Sequence, residues 1–340
     1  MKETLCIGAL QAESGTKTNG YYTVPKTLHR IPVTIINGAK DGKIILITSG
    51  IHGGEYPGIQ TAIELAQELN PAEVQGALII LHPVNTQAFL QRVAGVIPED
   101  GENLNRVFPG TMGGTITLKT AFSITKDFQS IADFYIDLHG GDVNELVMPY
   151  VYYPGIAEET VSNQARECAY VTGCEYVVRS IATGGAFNSA AANGVPSLLI
   201  ERGGSGLWSK EEVQAYKFDV LNILKKLEVL PGEPMLSNQK PKEITTAFYI
   251  DSEVDGCWYP AVKVGQTVSK GEYIGVIKDF FGKTLREYYA PEHVVVLYMT
   301  VTLGIESGTS LIALGQIQSL LNEKSYSIDV YNFGKSVYLS

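Results

Sequence analysis

Ile44-Ile45-Leu46-Ile47-Thr48-Ser49-Gly50-Ile51-His52-Gly53-Gly54-Glu55 is the stretch that decides the architecture. Its first half is a short apolar run closing on a glycine, the pattern of a buried strand. Directly after it come two side chains that ligate metals, and then a helical period. Apolar residues at 59, 62, 63, 65, 66 and 69 line one face, and Asn70-Pro71 ends the segment, so a helix of about three turns is expected over Ile59–Leu69. The same strand pattern returns at Ala77–Leu81, Phe134–Leu138 and Ser197–Ile200, with further helices expected at Phe122–Ile131 and Val213–Leu227. Strands alternating with helices imply an α/β fold with a mixed, largely parallel sheet flanked by helices.

The pattern changes downstream. Residues 231–242 hold three prolines and one glycine, and read as a linker. Beyond them come short strands at Ala247–Ile250, Gly256–Tyr259, Tyr273–Lys278 and Val294–Val301, punctuated by glycine and proline. We therefore divide the chain into 1–232, a linker at 233–242, and a small all-β domain at 243–340 whose last stretch, 316–340, has no assigned role.

Composition narrows the function. The chain has 340 residues, 45% hydrophobic and 18% charged, with a net charge of −10. That balance builds a large core and excludes intrinsic disorder. It offers no basic stripe for nucleic acid or an anionic membrane surface, so neither partner is expected. The longest apolar stretch, Val294–Ile305, is broken by two threonines and is too short to span a bilayer. Four scattered cysteines without a CxxC pair, and an N-terminus without a secretory apolar run, lead us to expect a cytoplasmic chain with reduced thiols.

Three clusters carry chemistry. The chain has only five histidines, and His52 and His139 both fall at strand ends, where open α/β sheets build sites. Glu55 stands three residues after His52. Two imidazoles and one carboxylate, with one ligand from a distant strand, make the donor set of a catalytic zinc with an open position. Asp137, two residues before His139, could orient that imidazole. In the Asp100–Gly110 loop, Asn105 and Arg106 place an amide beside a guanidinium that can grip a carboxylate with two charge-assisted bonds. Glu201 ends the Leu198–Ile200 apolar run, where a carboxylate is either paired with a cation, such as Arg202 or Arg179, or serves as a general base. Nucleotide-binding glycine loops and the GxSxG elbow of serine hydrolases are absent. His29, His82 and His293 have no partner at ligand spacing and are read as structural.

Taken in order, HGGEYPG at 52–58, NLNRVFPG at 103–110, DLHGG at 137–141 and ERGGSGLW at 201–208 resemble the succinylglutamate desuccinylase and aspartoacylase family of the zinc carboxypeptidase superfamily. The resemblance is good over residues 40–210 and weaker over the β domain, which that family also carries. It implies a zinc-carboxypeptidase-like fold with a barrel-sandwich-like C-terminal domain, and one Zn²⁺ per chain held by His52, Glu55 and His139. It further implies Glu201 as the catalytic base, with Asn105 and Arg106 on the carboxylate of a small N-acylated substrate. The expected activity is removal of an acyl group from an N-acylated amino acid. A carboxypeptidase acting on short peptides, or a non-catalytic binding protein, would share the scaffold. One position departs from the family: where an arginine is expected shortly before the NLNR loop, this chain has Gly95 or Pro98, with Arg92 out of register. For a succinyl substrate Arg92, Arg179 and Arg202 are candidates for a second cationic contact. Residues 262–277 are also similar to the β-barrels of lipoyl and biotinyl carriers, although no carrier-type hairpin surrounds Lys283. Oligomeric state is left open.

Overall fold

The computed structural model describes residues 4–236 and 240–317. Residues 237–239 of the expected linker and 318–340 of the C-terminal stretch lie outside the described residues.

The opening stretch forms the strand Lys40–Ser49, followed by the helix Tyr56–Glu68. The strand lies inside a 13-stranded sheet. Parallel neighbours flank it, Gln75–Leu81 on one side and Phe134–His139 on the other, and Ser197–Gly204 continues the parallel run. Outward the sheet turns antiparallel, through Arg30–Asn37 and Thr16–Thr23 at one end and Glu145–Pro154 at the other. The fold is thus a mixed sheet, parallel at its centre.

Alternating side chains of each central strand enter opposite cores, because successive residues of a strand point to opposite faces. Ile45 and Ile47 pack with Leu65, Tyr216 and Val220 beneath the helices Tyr56–Glu68 and Lys210–Lys226. Leu46 points the other way, into a cluster with Ile79, Ile124 and Phe187 under Ile116–Asp127 and Ala186–Ala192. Each such side chain is fully buried, worth about 1.5–3 kcal/mol relative to exposure.

Two elements differ from the pattern reading. The third helix runs over Ile116–Asp127, several residues earlier than expected, because Thr115 caps it by accepting the Leu118 N–H. Residues 129–131 form a separate 3₁₀ turn. The strand Glu145–Pro154 escaped the pattern because Pro149 interrupts it, and proline is unexpected in a central strand. The pairing shows why it is tolerated: Tyr150 opposes Glu201 and Val147 opposes Gly203, with a bulge between that excuses Pro149 from the ladder.

From residue 242 to 317 the described chain is all β. Val294–Thr300 pairs antiparallel with Glu145–Pro154 and carries Ser310–Gln316 and Ala247–Asp251 onto the edge of the central sheet. Thr284–Tyr289, Tyr273–Lys278, Gly256–Pro260 and Gly304–Ile305 make a separate four-stranded sheet. A core around Trp258, Val268, Ile277 and Leu311 joins them, and the Trp258 indole donates to the Thr300 carbonyl at 3.2 Å. No helix among the described residues is long and apolar enough to cross a membrane.

Candidate active site

The turn after Lys40–Ser49 brings His52 and Glu55 over the end of the sheet. Gly53 is obligatory there: a Cβ would stand 2.3 Å from the Phe89 nitrogen. Glu55 caps the Tyr56–Glu68 helix in position only, since its side chain makes no capping bond. It turns instead to both imidazoles. Oε1 lies 2.7 Å from His52 Nδ1 and Oε2 lies 3.1 Å from His139 Nδ1. His139 comes from the last residue of the adjacent strand, and the ligand atoms of all three residues lie within 4.8 Å of one another.

The far nitrogens are also engaged. His52 Nε2 lies 3.1 Å from Asn103 Oδ1, and His139 Nε2 lies 3.1 Å from Asp137 Oδ2. Asp137 is itself held by the Thr48 hydroxyl at 2.6 Å. With a metal bound, protons on both Nε2 atoms would leave both Nδ1 lone pairs free to ligate it. Glu55 Oε2, Asp137 Oδ2 and His139 Nε2 are buried and meet one another at ion-pair distance without hydrogen-bond geometry, and Glu201 Oε2 is buried with no hydrogen-bond partner. Three buried carboxylates around two imidazoles are a set that a divalent cation completes. The residues present therefore fit a zinc ion. Without it, burial works against charge, but the two imidazoles still hold Glu55 down to about 2. Against the same burial, Glu55 and Asp137 hold His139 well above the usual imidazole range.

Glu201 lies in Ser197–Gly204, opposite His139 in the parallel ladder. Burial, opposed by His139 and reinforced by Glu55 and Glu145, pushes its carboxyl well above the usual range. It is not spent on a structural ion pair. Arg202, one residue on, points through the sheet to Asp219 at 2.8 Å, and Arg179 donates to the Gly155 carbonyl.

These groups line a cavity of about 420 Å³. Among the described residues Arg106 is its single lysine or arginine. Asn105 also lines it, but its Oδ1 already accepts the Ala186 N–H at 2.8 Å, which leaves the –NH₂ group to address a ligand. Arg92, Arg179 and Arg202 are not in the wall. Gly95 is: a Cβ there would sit 3.6 Å from His52 Cδ2 and 3.3 Å from Asn103 Nδ2. A side chain at position 95 would thus start beside the His52 imidazole, whereas Pro98 is absent from the wall.

Several lining residues were not singled out from the sequence. Asn103 is in the quoted NLNR motif, and its contact with His52 was the missed signal. Asp142 and Glu145 follow DLHGG closely. Burial raises both, and Asp142 helps push Glu145 up to about 7. Tyr150 and Tyr152 lie in the unforeseen strand, and Tyr249 reaches in from Ala247–Asp251, its hydroxyl 2.9 Å from that of Tyr152. His29 and His82 are structural: His29 Nε2 contacts the Val84 carbonyl and His82 Nε2 contacts the Thr34 hydroxyl, each at 2.9 Å.

Comparison with known proteins bears on the family. The family model of the succinylglutamate desuccinylase/aspartoacylase catalytic domain matches residues 41–227. The N-alpha-acetyl-L-2,4-diaminobutyric acid deacetylase of Halomonas elongata is 27% identical over 297 residues, 84% of this chain and 86% of that protein. The crystal structure of a succinylglutamate desuccinylase/aspartoacylase from Rhodobacter sphaeroides superposes with a TM-score of 0.80 at 25% identity, covering 89% of this chain and 96% of that one. The product-bound ectoine utilization protein EutE (DoeB) from Ruegeria pomeroyi gives 0.79 at 25% identity, over 88% and 95%. The chain belongs to the succinylglutamate desuccinylase/aspartoacylase family, and with it to the enzymes that hydrolyse amide bonds.

Proposed function

We propose that this protein is a zinc-dependent deacylase that releases a short acyl group, acetyl in the first instance, from an N-acylated amino acid. The observation that carries this reading is the convergence of His52, Glu55 and His139 beside an unpaired, buried Glu201. His52 Nδ1, Glu55 and His139 Nδ1 would hold the cation. When bound, such an ion acidifies a water and polarises a carbonyl oxygen.

The chain's own residues supply the remainder. Glu201 takes the proton of the attacking water as the new C–O bond forms. It delivers that proton to the amine nitrogen as the C–N bond breaks, leaving a carboxylate and a free amine. Burial raises its pKa, which suits the return of the proton to the amine. Arg106 and the Asn105 –NH₂ group would hold the substrate carboxylate and fix the amide over Glu201.

Charge in the wall bears on the substrate. Among the described residues one guanidinium shares the wall with Asp142 and Glu145 besides the metal-site carboxylates. A succinyl group would bring a second carboxylate without a second cation to meet it, whereas an acetyl group brings none. The two extra carboxylates suit a substrate with a free ammonium, as the Halomonas relative's name describes for that protein. Tyr249, Tyr298 and Ser310 of the C-terminal strands line the cavity, which supports a small substrate rather than a peptide.

The test is amine release from a panel of N-acetyl and N-succinyl amino acids, with and without a basic side chain, and from short peptides. Zinc-loaded protein would be compared with Glu201→Gln. Release confined to acetylated diamino acids supports the full reading. Release from succinylated substrates overturns the acyl assignment, and release from peptides makes the protein a carboxypeptidase. Zinc binding without any hydrolysis would make it a binding protein.

A further inference from the structure

Behind the cavity, two buried hydroxyls stand in line with the metal-site residues. Tyr135, Asp137 and His139 alternate along the strand Phe134–His139 and so share one face. Thr48 stands opposite Asp137 in the neighbouring parallel strand. Thr48, Tyr135 and Asp137 are fully buried, and Tyr135 packs in the apolar cluster with Leu46 and Leu199. A valine at 48 and a phenylalanine at 135 would fill almost the same space without the cost of burying two hydroxyls.

The hydrogen bonds show what the hydroxyls do. The Thr48 hydroxyl donates to Asp137 Oδ1 at 2.6 Å, and the Thr48 and Tyr135 oxygens are also 2.6 Å apart. A hydroxyl has one proton and an ionised carboxylate only accepts, so the Thr48 proton is spent on Asp137. The Tyr135 proton must then go to Thr48 Oγ1. Burial and the negative charge of Asp137 hold the Tyr135 hydroxyl well above the usual phenol range, which keeps it a donor. The far end of the line is anchored as well. The Gln129 side chain lies within hydrogen-bond reach of the Tyr135 hydroxyl, and its –NH₂ group donates to the Ala186 carbonyl at 3.1 Å.

Both protons thus run in one direction, from the core towards the carboxylate, and donors in series strengthen one another. With Oδ1 occupied in this way, Oδ2 is the Asp137 oxygen that faces His139 Nε2, at 3.1 Å. On the zinc reading of the site given above, we propose that Thr48 and Tyr135 are positioning residues of the metal centre: the tyrosine donates to the threonine, the threonine donates to Asp137, and this chain fixes the carboxylate that orients the His139 ring.

Zinc affinity of the full chain by chelator competition tests this, with urea unfolding of the metal-free protein as the control for the fold. Thr48→Val should raise the zinc Kd by roughly 10- to 100-fold. Thr48→Ser keeps the donor and should stay within about twofold of the parent. Tyr135→Phe should raise the Kd by roughly 2- to 10-fold. In the double variant Thr48→Val/Tyr135→Phe the losses should not add, and the Kd should match that of Thr48→Val, because the tyrosine acts through the threonine. The visible absorption of the cobalt-substituted protein, which reports ligand geometry, should change with Thr48→Val and not with Thr48→Ser. A parent-like Kd for Thr48→Val overturns the proposal. So does Thr48→Ser as weak as Thr48→Val, or losses that add in the double variant. If Thr48→Val does not fold, a parent-like Kd for Tyr135→Phe overturns it. A parent chain that takes up no zinc fails the metal reading itself, whereas one zinc per parent chain with unaffected variants fails only the chain of hydroxyls.

Discussion

Glu201 stands directly opposite His139 in the parallel ladder between Ser197–Gly204 and Phe134–His139. Opposed residues of neighbouring strands share a face. A carboxylate and an imidazole from positions 62 residues apart thus open onto the same cavity, while the next residue, Arg202, is turned through the sheet.

Glu201→Gln keeps the shape of the side chain and removes its proton chemistry. Turnover of an acetylated substrate should fall by roughly 10²–10⁴-fold. Zinc content, measured by mass spectrometry of the purified variant, should stay at one per chain. Substantial residual activity would move the base elsewhere.

Asp137 contacts His139 Nε2 at 3.1 Å and orients that ring. Asp137→Asn should weaken zinc binding by roughly 10- to 100-fold in chelator competition, with the fold retained by circular dichroism. An unchanged affinity would mean that the strand alone positions His139.

Arg106 is the one guanidinium of the cavity among the described residues. Charge-assisted bonds to a carboxylate are worth about 1.5–3 kcal/mol. Arg106→Ala should therefore lower kcat/KM by roughly 10- to 150-fold for substrates with a free carboxylate. For the corresponding amides of those substrates the loss should be small, and equal losses would remove Arg106 from carboxylate binding.

The pair Arg202–Asp219 is buried behind the site. Asp219→Asn strands a guanidinium in the core and should cost about 3–5 kcal/mol in urea unfolding. The double variant Arg202→Met/Asp219→Leu should recover most of that loss. If it does not, the damage lies in lost contacts with Gly173 and Cys174 rather than in the uncompensated charge.

Glu145 is pushed up to about 7, by burial and by Asp142, from an ordinary 4.5. Between these values the folded state keeps a proton that the unfolded state has lost, so stability falls as pH rises through the window. In metal-free protein, Glu145→Gln should raise the melting temperature by a few degrees at pH 8 and leave it unchanged at pH 4. Equal shifts at both pH values would show that ionisation is not the cause.

Much of the fold was readable in order. The runs at 44–48, 77–81, 134–138 and 197–200 are buried strands because both of their faces are covered, and double coverage demands continuous apolar sequence. His52, Glu55, His139 and Glu201 stood out because each follows or ends such a run, where polar residues are costly without a purpose. Glu145–Pro154 was unreadable, since its proline is allowed only by a bulge against a strand 50 residues later.

What the sequence by itself determined is therefore the set of buried strands, the alternation with helices, and which polar residues fall at strand ends. These are local matters of hydrophobic period and position. Only the tertiary structure decided which nitrogen of each histidine faces Glu55 and that Arg202 belongs to Asp219 rather than Glu201. It alone placed Arg106 in one cavity wall with the carboxylates of Asp142 and Glu145. Those outcomes depend on which face of a strand a side chain occupies and on what a distant segment places opposite it. Strand pairing sets both, and no local pattern records the pairing.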